Sequence, residues 1–130
     1  MKTIFFSLLL LAAAMTSCKK EPTQSDFEGL WTVTEVELYN PPSTTAYPSA
    51  EGEYGTLNIS FQSDRQATLR LQMYDKSQRL RIDESYPATY TTDQDGDPVF
   101  KADDGTLIAA IFDLEIDFYG IRGARIAAKK

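Results

Sequence analysis

"GTLNISFQSDRQATLRLQMY", residues 55–74, decides the fold. Leu57, Ile59 and Phe61 share one parity, and Thr56, Asn58 and Ser60 the other. After the short polar turn "SDRQ", the same alternation resumes: Ala67, Leu69, Leu71 and Met73 against Thr68, Arg70 and Gln72. Period two with one apolar face is the pattern of a half-buried strand, and two such runs around a polar turn predict a β-hairpin. No stripe of helical period competes with it.

The pattern spreads in both directions. Upstream lies "LWTVTEVEL"; downstream lie "RLRID", "YPATYTT", "DPVFKA", "TLIAAIFDLEIDF" and "RGARIAA". That makes eight predicted strands, antiparallel because the connections are too short for crossovers. In the first, Trp31 and Val33 share one parity but Val36 and Leu38 the other, as a β-bulge produces. In the seventh, Ile108, Ala110, Phe112, Leu114, Ile116 and Phe118 are expected to face the core, with Asp113, Glu115 and Asp117 outside. A three-residue loop at Tyr119–Ile121 sets Phe118 opposite Arg122, turns Ala124, Ile126 and Ala128 inward and pairs Glu115 with Arg125. The expected architecture is an all-β, antiparallel, up-and-down eight-stranded barrel. A two-sheet sandwich is the alternative, since the same alternation serves both.

Residues 1–17 have a different character. Lys2 precedes the apolar run "IFFSLLLLAAAM", and small residues lead to Cys18. This is the layout of a secretory signal peptide, and the run is short of the roughly 20 residues a membrane span needs. The sequence "MTSC" resembles a bacterial lipobox. The resemblance implies acylation of Cys18, the only cysteine, and a lipid anchor in the membrane. An ordinary cleaved signal with an incidental Cys is the alternative. Lys19, rather than an Asp, after the Cys implies by the same resemblance an outer-membrane location, its face undetermined. Residues 18–26, the lipidated Cys and the polar "KKEPTQSD", read as a tether of roughly 25 Å when extended. Residues 27–130 form the folded domain.

Without Lys2 the 13 basic residues become 12, and against 19 acidic ones the net charge moves from −6 to −7. An acidic domain is a poor partner for nucleic acid, which calls for a basic patch. With no His there is no Ser-His-Asp or Cys-His pair and no imidazole metal ligand. A non-catalytic protein without cofactor or resident metal is the expectation. "DQDGD", Asp93–Asp97, has the acidic spacing of a calcium loop but lacks the 12-residue frame and terminal Glu of an EF-hand. Asp-Gly in a hairpin turn has a backbone reason of its own.

"FEGLWTVTEVEL" carries Gly29-x-Trp31 at the start of the first strand. With the strand count, it resembles the lipocalin-like domains of small bacterial lipoproteins over residues 27–130. The resemblance implies a barrel closed at the Gly29–Trp31 end and open at the other, sometimes holding an apolar ligand. It also implies a cation over the Trp31 ring, a place open to Lys129 or Lys130. If strands alternate up and down, the connections 39–53, 74–78, 93–97 and 119–121 share the open end. Tyr39, Tyr47, Tyr54, Tyr74 and Tyr119 then gather there with Arg122 and the Asp93–Asp97 acids. The expectation is a tyrosine-bearing mouth that binds a small apolar or aromatic-compatible ligand. The alternative is an envelope protein partner, with this chain as inhibitor or accessory subunit using the same loops. Oligomeric state stays open.

Overall fold

The structure, a computed structural model, describes residues 24–130. It is an eight-stranded antiparallel barrel with one extra strand. A single helical turn, α1 (Gln24–Phe27), precedes β1 (Gly29–Tyr39), β2 (Pro42–Ala46), β3 (Tyr54–Phe61) and β4 (Gln66–Tyr74). Then follow β5 (Leu80–Thr92), β6 (Pro98–Lys101), β7 (Leu107–Phe112), β8 (Glu115–Phe118) and β9 (Ala124–Lys129). Gln24–Asp26, expected in the tether, thus open the folded part. Each barrel strand pairs with the next, and β9 returns to β1 to close the cylinder. The extra strand β2 folds back on the far half of β1, outside the closed circuit.

Alternation carried most of this correctly. The β3–β4 hairpin pairs Leu57 with Leu71 and Ile59 with Leu69, all four fully buried. In β1 the register shifts between Val33 and Glu35, the bulge that the parity change foretold. It lets the first half of β1 pair with β3 while the second half pairs with β9 and β2. Trp31 and Val33 are fully buried, and Val36 packs against the core beyond the bulge. No buried polar side chain interrupts this interior among the described residues, so its cohesion is hydrophobic throughout.

The count of eight conceals two corrections that offset each other. "RLRID" and "YPATYTT" are one strand, the 13-residue β5. Pro87 is tolerated inside it because, among the described residues, β5 has only β4 beside it until β6 joins at Thr89, so the missing N–H breaks no ladder bond. "TLIAAIFDLEIDF" is two strands, β7 and β8, joined by a two-residue turn at Asp113 and Leu114 with φ of 50° and 61°. A two-residue hairpin reverses parity, pairing Ile111 with Ile116. Ile111, Ile116 and Phe118 are therefore buried, whereas Phe112 and Leu114, expected in the core, are exposed.

The β8–β9 pairing also differs from expectation. Phe118 lies opposite Ile126 and Glu115 opposite Lys129, a slip of four residues. An even slip keeps every side chain on its face, so Ala124, Ile126 and Ala128 are still buried. The outer partners change. Arg125 bonds Asp117 at 2.8 Å and Glu35 at 3.2 Å, with Glu37 at 3.5 Å, instead of Glu115.

Candidate functional site

The two ends of the barrel differ. At one end, α1 lies across the interior: Phe27 is 1% exposed, and the Trp31 indole Nε1 donates to its carbonyl at 2.8 Å. Gly29 begins β1 with φ of 111°, a left-handed turn between α1 and the strand that glycine adopts without strain. Lys130 returns to the same place. Its ammonium donates to the carbonyls of Asp26 and Glu28 at 2.8 and 2.7 Å, pinning the C-terminal strand to the plug. Lys130, one of the two candidates for a cation over the Trp31 ring, thus returns to this end, with its ammonium engaged by backbone carbonyls.

The opposite end carries connections 40–53, 75–79, 102–106 and 119–123. Here the wall thins. Among the described residues, Leu80–Ala88 of β5 has a strand on one side only, because β6 is four residues long. Inside this rim is a cleft of about 320 Å³. Its walls are Val36, Leu38, Met73, Ile82, Ile121 and Ile126, with Ala124 at the side. Gly55 gives Met73 its room: a Cβ there would stand 2.3 Å from the Met73 sulfur. Tyr47, Glu53, Tyr74, Asp75 and Arg81 supply the polar border.

The border is held by local bonds. Asp75 Oδ1 accepts the backbone N–H groups of Ser77 and Arg79 at 2.8 and 3.0 Å, closing the β4–β5 turn. Its Oδ2 accepts from Arg81 Nε at 2.8 Å. The Arg79 amide, with the Ser77 amide and Arg81, holds the Asp75 carboxyl below its ordinary value despite some desolvation. Across the cleft, Ser49 Oγ accepts from the Glu53 N–H at 3.0 Å and clasps the long connection. Burial, then the nearby Glu53 carboxylate, pushes the Tyr47 phenol up, so Tyr47 is neutral and offers an O–H near an apolar cavity. Deeper in, the Tyr86 ring meets Phe118 edge-on at 5.0 Å, and its hydroxyl donates to Glu84.

The tyrosines expected at the mouth do sit at this end, but on different faces. Tyr47 and Tyr74 border the cleft. Tyr54 and Tyr74 stack on each other, centroids 4.5 Å apart and planes within 8°, as neighbouring ends of β3 and β4. Tyr39 and Tyr119 fall outside the cleft lining; burial, then Asp117, raises the Tyr119 pKa, with Tyr39, Glu37 and Arg125 also within its field. They belong to the outer face around Arg125. Burial alone would depress the Arg125 guanidinium, but its bonds to Asp117 and Glu35 outweigh that and raise it. Arg122 is exposed in the 119–123 connection, away from the lining.

The 93–97 connection is a correction. Because β5 is one strand, this loop lies at the Trp31 end and takes Asp93, Asp95 and Asp97 away from the mouth. Their carboxylate oxygens lie within 4.8 Å of one another. Asp93 Oδ1 accepts the N–H groups of Asp95 and Asp97, both at 2.9 Å, which gives it a turn-forming role. Cys18 lies outside the described residues. The cleft walls escaped sequence reading as a site, although Val36, Met73, Ile82 and Ile126 carry the signal: inward apolar residues at strand ends on the open side. No protein-family model, curated protein or solved structure matches the chain.

Proposed function

We propose that this chain is a non-catalytic envelope lipoprotein whose barrel binds one small apolar or aromatic-compatible ligand in the cleft at its open end. The observation that carries this reading is the cleft itself: about 320 Å³, apolar-walled, with a few polar groups at the border. Ligand sites begin near 300 Å³ and have that division of labour. The closed Trp31 end and the eight-strand circuit are compatible with a lipocalin-like fold. Tyr47 is the gate residue, offering a ring face and a hydroxyl. The polar clasp of Asp75 and Arg81 sets the orientation of a ligand's polar end. Anchoring through Cys18 to the outer membrane completes the proposal, supported by the signal-like run and "MTSC". An intact mass of the host-derived chain tests it: acyl groups on a chain starting at residue 18 support it, and any other start removes it.

The binding test is titration with the neutral dye N-phenyl-1-naphthylamine. At about 0.3 kcal/mol for each of its roughly 17 heavy atoms, the dissociation constant should be on the order of 100 µM or tighter. Ala124→Phe fills the cleft from β9 and should weaken binding at least about tenfold. Equal binding by A124F refutes the site.

A protein partner is the second reading, favoured by β2. All five residues of β2 are exposed, and its outer edge has no strand beside it among the described residues. Such an edge accepts an added strand. A photo-crosslinker at Ser43 that captures one discrete envelope protein supports this reading; no adduct counts against it.

A further inference from the structure

The three most exposed large apolar side chains among the described residues are Phe112 at 66%, Leu30 at 59% and Leu114 at 59%. All three lie at the Trp31 end. Leu30 is the second residue of β1 and faces away from Trp31, while Phe112 and Leu114 belong to the tip of the β7–β8 hairpin. Four less exposed apolar residues, Leu38, Tyr39, Leu80 and Leu107, lie toward the other end.

The hairpin tip breaks a second rule. Asp113 and Leu114 both have positive φ, as a two-residue type I′ turn requires. Asn and Gly suit those positions; a Leu there is strained, with its branched side chain pushed into solvent. A better turn is one substitution away, so the tip keeps an apolar group at the expense of local stability. Local rules broken without structural benefit mark functional positions.

The same end receives the chain from its N-terminal side. α1 begins at Gln24, six residues after Cys18, and six residues reach at most about 20 Å. The carboxylates of Asp113 and Glu115 flank Leu114, which disfavours an anionic surface and suits the ammonium groups of zwitterionic headgroups.

We propose that the Trp31 end is the membrane-facing side of the protein. The β7–β8 tip and Leu30 seat in the interfacial layer of a zwitterionic, ethanolamine-bearing bilayer. This builds on anchoring at Cys18. A lipid chain and a few shallow apolar side chains together hold a surface better than either alone. The open cleft then faces away from the bilayer, so its ligand exchanges with the aqueous compartment.

The test uses the full host-processed chain in phosphatidylethanolamine–phosphatidylcholine vesicles whose phosphatidylcholine acyl chains carry bromine. Leu114→Trp and Tyr39→Trp place a reporter at each end, read above the constant signal of buried Trp31. Leu30→Trp repeats the measurement without touching the turn. The expected result is blue-shifted, bromine-quenched emission for L114W and L30W and unquenched emission for Y39W. Chains that float with the vesicles while L114W and L30W stay unquenched, or while Y39W is quenched equally, overturn this orientation and leave the anchor intact. Chains that fail to float overturn the orientation and the anchor together.

Discussion

Replacing Trp31 with Phe separates the plug of the barrel from its mouth. The substitution keeps an aromatic ring but removes the Nε1–H that donates to the Phe27 carbonyl at 2.8 Å, in surroundings where both residues are at most 1% exposed. That carbonyl is left without its side-chain partner, which costs about 1–3 kcal/mol for a buried group. The smaller ring also leaves a void, worth about 1 kcal/mol more by comparison with larger aromatic truncations. The sum, about 2–4 kcal/mol, should lower the melting temperature by roughly 10–20 °C for a domain of this size. Because Trp31 is the only tryptophan, urea unfolding is followed by the circular dichroism of the sheet. Dye affinity should stay within about twofold of wild type, since the cleft lies at the opposite end and well-separated sites act independently. A loss under about 0.5 kcal/mol, the level of an ordinary surface change, would refute the reasoning that α1 and Trp31 close this end together.

Leu114→Asn suits the left-handed turn and should raise stability by about 1 kcal/mol, seen as a higher urea midpoint; a lower midpoint argues against strain at the tip. Tyr47→Ser should weaken dye binding several-fold while Tyr119→Ser leaves it unchanged, because Tyr47 borders the cleft and Tyr119 does not; equal losses in fluorescence titration would reunite the two faces. Asp75 has a depressed pKa, so its hold on the β4–β5 turn and Arg81 is complete above the ordinary carboxylate value near 4 and is lost as pH falls through its lower folded value. Dye affinity should therefore be level from about pH 7 to pH 5 and fall below about pH 4, with Asp75→Asn removing that fall; a decline already complete at pH 5 contradicts this.

Much of the barrel was legible because its signal is strict. A strand with one wet face alternates, and β3, β4 and the bulge of β1 could be read residue by residue. The turn between β7 and β8 could not. Ala109 beside Ala110 and Ile111 beside Phe112 supply an apolar residue at either parity, so nothing in that run marks the reversal. The join within β5 was hidden for a different reason: the polar pair Glu84 and Ser85 interrupts the apolar alternation and reads as a connection, yet both stay in the ladder, opposite Leu71 and Arg70. These two misreadings restored the final count, and they moved two loops, 93–97 and 102–106, to the wrong ends. The register of β9 slipped by four, which alternation cannot detect, so the inner face was right and the partners of Arg125 were wrong. At the candidate site, sequence placed the tyrosines at the correct end but could not say which face each would occupy. The cleft depends on where the short β6 leaves the wall low, a property of strand lengths that no local pattern carries.

The central claim is that an apolar molecule enters the barrel at the rim opposite Trp31. Methyl chemical-shift mapping on addition of the naphthylamine dye tests it most directly. The account predicts saturable shifts centred on Val36, Leu38, Met73, Ile82, Ile121, Ala124 and Ile126, with Leu57 and Ile59 toward the plugged half unmoved. Shifts centred on the Trp31 end or on the outer face around Arg125, or none at millimolar dye, would contradict it.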